Sequence, residues 1–162
     1  MSKNLLIAFS IGIAAVAIAA VGIVYMQRGA HIQLPGKILK VRTAPLDEGS
    51  SVAVLDFRVT NPADYPFQVR TVTVILEDAA GKQTDGETIS DTDATRMFEE
   101  LPLLGHKYNP SLIMRDRVAP HTTEDRMISA RFEVPEAKLD ARKRFVLRVE
   151  EVDGTIAEIP ER

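Results

Sequence analysis

The first pattern in the chain is an apolar run that contains no charge. Residues 5–26 (LLIAFSIGIAAVAIAAVGIVYM) are all uncharged, whereas nearly all charged residues follow them. At about 1.5 Å of rise per residue, a helix of this length reaches about 33 Å, enough to cross a hydrocarbon core of about 30 Å. The run predicts a transmembrane signal-anchor over residues 1–27, held in a lipid bilayer through residues 5–26.

A cleaved signal peptide is the alternative interpretation of the same run. Ala17, Ile18 and Ala19 form the small-x-small pattern at which signal peptides are cut. The apolar residues continue beyond this pattern as far as Tyr25, which favours a retained anchor.

The orientation of the anchor follows from its flanks. Counting positive charges, with Lys3 before the run and Arg28, Lys37, Lys40 and Arg42 after it, would keep the C-terminal domain in the cytoplasm. A long C-terminal domain can cross largely regardless of charge, however, and a short N-terminal tail is typical of a signal-anchor with its N-terminus inside. We therefore expect a single-pass membrane protein whose C-terminal domain is extracytoplasmic, periplasmic if the source is bacterial.

Small residues recur within the run at steps of four, three, four and three. Such a stripe lets a second helix approach closely in lipid, although an Ala-rich helix also produces stripes by chance. We expect it to pack against other membrane proteins or another copy of the chain. The predicted packing face consists of Ala8, Gly12, Ala15, Ala19 and Gly22.

Strict alternation of apolar and polar residues dominates the second part of the chain. Residues 28–36 predict a linker and residues 37–162 a folded domain. Ala53, Leu55, Phe57 and Val59 alternate with mostly polar neighbours, which is typical of a strand with one buried face. Ile128, Ala130, Phe132 and Val134 repeat the pattern. The apolar phase changes between Val69 and Val72, which predicts a bulge near Arg70 or Thr71.

One segment has a helical period instead. Ala94, Met97, Phe98 and Leu101 are spaced at i, i+3, i+4 and i+7, after candidate caps at residues 90–92 and before Pro102. Residues 84–89 predict a weak edge strand, and Asp153-Gly154 a two-residue hairpin turn. Together the elements predict a mainly β fold, an antiparallel two-sheet sandwich of the immunoglobulin-like class with one short helix.

A corner interrupts the strands at residues 61–66 (NPADYP). Asn61 can bond to its own backbone, while Pro62 and Pro66 restrict φ, and the hydroxyl of Tyr65 can bond to a neighbouring carbonyl. These residues indicate a structural corner at Asn61, Pro62 and Pro66. A partner contact there is the alternative, because loops at sandwich ends often bind.

Four short motifs together suggest a family. Residues 61–66, 118–123 (VAPHTT), 132–135 (FEVP) and 153–154 (DG), in this order among strands, resemble the water-stress, late-embryogenesis-abundant type 2 domain. They are also similar to immunoglobulin-like sandwiches on bacterial membrane-anchored proteins. The resemblance spans residues 37–159. It implies a non-catalytic sandwich held by one N-terminal helix, with stress-protective, lipid-contacting or partner-binding roles, and it implies a structural role for Asn61 and Pro62.

The composition and the absence of known motifs argue mainly against particular classes of function. The chain has 162 residues, 27% of them charged, and a formal net charge of −3 without long runs of either sign, so we expect no nucleic-acid partner. It has no cysteine, and no motif of a nucleophile elbow, phosphate loop or paired-histidine zinc site occurs. His31, His106 and His121 lack metal-ligand spacing. We expect no enzyme activity and no cofactor.

An apolar segment, residues 101–114 (LPLLGHKYNPSLIM), is richer in large side chains than a free loop needs. Packing over an open end of the sandwich is one interpretation, and a groove for a lipid chain or a partner is the other. The candidate partner or ligand surface consists of Tyr65, Leu103, Leu104, Tyr108, Leu112 and Met114. The favoured function is a membrane-anchored interaction or scaffold module, an accessory component of a membrane protein assembly; the alternative is a stress-protective carrier of lipid or another small apolar ligand.

Overall fold

The structure is a computed structural model, and it describes residues 12–13, 16–21 and 34–162. Contacts divide the chain into two units, residues 1–32 and 33–162. In the first, Gly12 and Ala19 of the predicted packing face are helical and exposed. Ala8, Ala15 and Gly22, with most of the predicted signal-anchor, lie outside the described residues. Within the ranges above, no helix has both the length and the apolar character that a membrane crossing needs.

Residues 34–162 consist mainly of antiparallel strands. The strands are β1 (Gly36–Pro45), β2 (Ser51–Thr60), β3 (Phe67–Glu77), β4 (Gln83–Asp85), β5 (Glu87–Thr88), β6 (Arg117–Val118), β7 (Thr123–Phe132), β8 (Arg144–Glu151) and β9 (Ile156–Pro160). The helices are α1 (Asp91–Glu100) and α2 (Glu136–Asp140), and a 3-10 turn spans Pro102–Leu104. The prediction of a mainly β, antiparallel fold is confirmed.

The strands form two sheets with a core between them. The first sheet has the order β1-β2-β7-β5 and the second β4-β3-β8-β9, with β6 paired to the start of β3. In the first sheet Leu55 lies opposite Ile128. Phe132 meets Phe145 of the second sheet at 5.8 Å between ring centroids. The alternating apolar residues predicted for β2 are buried on this core face, as are Ile128, Ala130 and Phe132 of β7. Val134 follows the end of β7 and is only partly buried.

The outer face of the first sheet is also buried. Val52 and Val54 of β2 contact a cluster that α1 contributes through Ala94, Met97 and Phe98. The sequence predicted one buried face for β2. The outer face of β2 is buried as well, because the apolar stripe of α1 packs on this sheet.

Helix α1 follows the predicted pattern closely. It begins after Ser90, whose Oγ accepts a hydrogen bond from the N–H of Asp93 at 3.1 Å. Ala94, Met97 and Phe98 are buried, and Pro102 follows the last turn. The predicted helix and its cap are confirmed.

The change of apolar phase in β3 has the predicted cause. The register between β3 and β8 shifts between Val69 and Thr71, so that Arg70 is the extra residue of a bulge. The predicted bulge is confirmed. The bulge exposes the Arg70 side chain to solvent, and the alternation of buried and exposed residues resumes in the opposite phase at Val72.

The predicted edge strand at residues 84–89 is two short strands in different sheets. β4 pairs with β3, whereas β5 pairs with β7. Gly86 makes the crossing, and a Cβ there would lie 2.6 Å from Cζ of Phe132 and 2.9 Å from Cβ of Ala130. Only glycine lets the backbone pass this close to the core.

Two predicted boundaries shift. Leu34 is buried and the carbonyl of Pro35 accepts a hydrogen bond from Thr60, so the folded unit includes residues assigned to the linker. The β8–β9 hairpin is present, but its loop has three residues, since Glu151 N–H donates to the carbonyl of Thr155. Gly154, at φ +91°, supplies the left-handed position of this longer turn.

Candidate functional site

The candidate surface residues occupy three separate places. Tyr65 lies half exposed at the corner, and Leu112 and Met114 line a groove at the edge of the sandwich. Leu103 and Tyr108 are exposed near the outer face of the first sheet. Leu104 (1% exposed) and Leu112 (0%) are buried, so these two side chains belong to the packed interior.

The corner is organised around a buried asparagine. The side-chain amide of Asn61 donates to the carbonyl of Tyr65 at 2.8 Å and to that of Val118 at 3.0 Å. Its Oδ1 accepts from Ala63 N–H at 3.0 Å, which closes an Asx turn. Asn61 therefore ties the turn to β6. The nearby His121 contacts the exposed Asp64 at 2.8 Å.

A buried ion pair that the sequence analysis missed lies on the outer face of the first sheet. Nη2 of Arg42 donates to Oδ2 of Asp56 at 2.7 Å, and both side chains are only 7% exposed. Asn109 donates to the other carboxylate oxygen at 3.1 Å. The one available signal was a single Asp inside the apolar run of β2, because a buried carboxylate requires a partner.

The same arginine holds the segment that crosses over it. Nη1 of Arg42 donates to the carbonyls of Leu104 at 2.6 Å and His106 at 2.8 Å. Its guanidinium lies 5.0 Å from the ring centroid of Phe98 and 5.8 Å from that of Tyr108. We name Arg42, Asp56, Asn109 and these two carbonyls the Arg42 cluster. It fastens residues 104–109 to the sheet.

An open groove lies where the edges of the two sheets meet. Its volume is about 520 Å³ and its lining is mostly apolar. Buried Leu112 forms its base, while Ile113 (39% exposed) and Met114 (62% exposed) stand at its rim. We name it the Met114 groove; residues 70–73, 88–91 and 112–114 line it.

The groove exists because β3 is only partly paired on its outer edge. β6 covers Phe67 and Gln68, and β4 covers residues 75–77. The segment before β6 is first attached to the first sheet, where the N–H of Leu112 donates to the carbonyl of Met127 at 2.8 Å. It reaches the edge of β3 three residues later, where the N–H of Arg115 donates to the carbonyl of Val69 at 2.8 Å. The gap between the two attachments is the groove.

One carboxylate at the groove has an altered acidity. A hydrogen bond from Lys107 at 2.5 Å, followed by bonds from Ser111, lowers the pKa of Asp91 below its ordinary value of 3.8, against a smaller opposing effect of burial. Asp91 is therefore ionised at neutral pH. Its bonds hold residues 107–111 beside the start of α1.

This pair predicts a pH dependence of stability. Because the folded pKa of Asp91 is depressed below 3.8, the stabilisation is complete above about pH 5 and disappears as pH falls through the folded value. Asp91 is half exposed, so solvent screening limits the loss in Lys107→Met to about 0.5–1 kcal/mol at pH 7. Thermal melts should show this difference at pH 7 and a progressively smaller one as the pH falls below about 3.8. The exposed Lys138→Met is the matched control; a difference that grows in acid would contradict the assignment.

Across the part of the chain that the structure describes, no group of three or more His, Asp or Glu side chains is placed to hold a metal ion.

Two solved structures align with most of the chain. One is a crystal structure of a Bordetella pertussis protein provisionally named ApaA, 14% identical with a TM-score of 0.38 over 82% of this chain and 90% of that one. The other is an X-ray structure of a structural-genomics target, SoR45, 11% identical with a TM-score of 0.32 over 81% and 80%. No protein-family model matches, and no curated protein does. Likenesses this weak carry no argument about function.

Proposed function

We propose that the protein is a non-catalytic interaction module on a single-pass membrane anchor, an accessory component of a membrane protein assembly. Residues 5–26 hold it in the bilayer, and an immunoglobulin-like sandwich resembling the late-embryogenesis-abundant type 2 domain lies outside the cytoplasm. The Met114 groove is the surface that contacts the partner. The predicted stripe through Gly12 and Ala19 adds a second contact, within the membrane.

The observation that supports this proposal is an apolar groove with exposed apolar residues at its rim. Ile113 and Met114 stay in water although the core beside them is well packed. Exposed apolar side chains that gather around a concave surface are characteristic of interaction sites. Methionine suits such a surface, because its flexible, polarisable side chain adapts to a partner.

Site-specific crosslinking tests the proposal in membranes. A photoreactive amino acid in place of Met114 of the full chain should give a discrete protein adduct in cells that express it. The same amino acid in place of Lys138, on α2, which packs against β1 and β2, should give none. Equal labelling from both positions, or no protein adduct from position 114, would contradict the proposal.

A carrier function is the second candidate. The volume of the groove falls within the range of about 300–1,000 Å³ that is usual for small-ligand sites. The same photoreactive residue distinguishes the two functions, because a carrier gives a lipid or small-molecule adduct. Mass spectrometry of the full chain after irradiation would identify that adduct by its mass.

A further inference from the structure

We infer that the partner inserts an acidic peptide segment with a large apolar side chain into the Met114 groove. The inference rests on the proposed function and specifies the chemistry of the partner. The groove has two parts: an apolar base that would contact the apolar side chain, and a cationic rim that would bind carboxylates.

One arginine lines the groove and two more lie in the segment that follows its lining residues 112–114; we group the three as the cationic rim. Arg70 lines the groove from the bulge of β3. Arg115 follows Met114 and bonds through its N–H to Val69, beside Arg70. Arg117 follows two residues later and lies opposite Gln68 in the β3–β6 pair. All three side chains are exposed.

The acidic groups near the rim are already engaged. Asp91 is held by Lys107 at 2.5 Å, and Asp116 accepts from Ile113 N–H at 3.0 Å and lies 3.7 Å from Arg126. Glu150 contacts Arg70 at 3.2 Å and also accepts a hydrogen bond from Thr71. The rim therefore does not present these carboxylates as free anions.

Two of the arginines carry uncompensated charge. Within residues 34–162, neither Arg115 nor Arg117 forms an ion pair. The pair of Arg70 with Glu150 is exposed and long, so it stabilises little and can exchange its partner. Guanidinium groups bind carboxylates in a two-pronged geometry, and complementary charge selects a partner by its sign. The rim thus favours acidic residues in the bound segment.

The apolar base sets the second requirement. Leu112 is fully buried, and Val72 is 8% exposed behind the opening. Because Leu112 and Val72 already have almost no exposed surface, the apolar area that a bound side chain removes from water, at about 25 cal/mol per Å², is that of Met114 and Ile113 at the rim. Because Arg115 directly follows Met114 in the chain, we expect an apolar residue that enters the groove to bring its neighbours close to Arg115. The bound segment therefore has acidic residues directly next to its apolar one.

Methionine-methyl NMR tests this inference on the full chain. The chain is labelled with [methyl-13C]methionine and placed in zwitterionic lipid nanodiscs. The probe is an acetylated peptide, Glu-Glu-Glu-Leu-Phe-Leu-Ser-Ser. The control peptide has lysine in place of each of the three glutamates. The glutamate peptide should shift the Met114 signal, assigned with Met114→Leu, and leave those of buried Met97 and Met127 in place.

A charge variant provides the discriminating measurement. Arg115→Ser/Arg117→Ser should weaken binding of the glutamate peptide about tenfold, because two exposed charge pairs are lost. The control Lys138→Ser/Arg162→Ser should leave the affinity unchanged. Equal binding of the lysine peptide, an unaffected arginine variant, or no shift of Met114 by either peptide would overturn the inference. A protein crosslink from position 114 that persists in any of these cases would leave the proposed function standing.

Discussion

Replacing Asp56 by alanine is expected to lower the free energy of unfolding by about 3–5 kcal/mol. The substitution leaves the guanidinium of Arg42 buried without its carboxylate, and it removes the acceptor of Asn109. Two carbonyl bonds to Arg42 remain, but neutral acceptors do not replace the lost counter-charge. Urea denaturation of the full chain, followed by far-UV circular dichroism, measures the change.

Two further variants isolate the cause. Arg58→Ala, on the same strand, removes a pair with Asp125 that is exposed on both sides, so it should cost far less than Asp56→Ala. Arg42→Met/Asp56→Leu removes both buried charges and should recover much of the loss, because an apolar pair of similar size has no desolvation penalty. Equal effects of Asp56→Ala and Arg58→Ala would show that burial of the pair contributes nothing.

The Arg42 cluster also shows why the register could not be read from the sequence. Ile38 lies opposite Phe57, but Lys40 lies opposite Asp56, so Leu39 is an extra residue in β1. One extra residue reverses the faces of all that follow, because side chains alternate with a period of two. Without this bulge Arg42 would point into the core. The sequence of β1 carries no mark that distinguishes the two registers.

Elements defined by local patterns were predictable. The spacing of Ala94, Met97 and Phe98 specifies α1, and the apolar phase change after Val69 specifies the bulge in β3. Each depends on residues within about one turn or strand, where side-chain direction follows from backbone period alone.

The Met114 groove, in contrast, depends on distant segments. β3, the start of α1 and residues 112–114 meet there through pairing that local periodicity does not specify. The sequence indicated that residues 101–114 were unusually apolar, and Leu112 and Met114 are indeed at the groove. It gave no sign that Leu104 would be used to bury the outer face of the first sheet. Nor did it place Arg70 at the groove, because that position depends on where β6 begins to pair with β3.

Replacing Asn61 by alanine is expected to lower the free energy of unfolding by about 2–3 kcal/mol. The carbonyl of Val118 would lose a buried donor, whereas the carbonyl of Tyr65 and the N–H of Ala63 are partly buried and can regain water. The dominant cost is therefore the single unsatisfied buried carbonyl. The measurement is the same urea denaturation.

Asp64→Ala is the matched control for the corner, since it removes only the exposed contact with His121 and should change stability by less than about 1 kcal/mol. The comparison also separates a structural corner from a partner-binding one. If the corner is structural, Asn61→Ala destabilises the domain, yet at a temperature where it stays folded the crosslink from position 114 persists. A variant of unchanged stability that loses its partner would instead assign binding to the corner, because Asn61 is buried and could then act only by positioning Tyr65 at the surface.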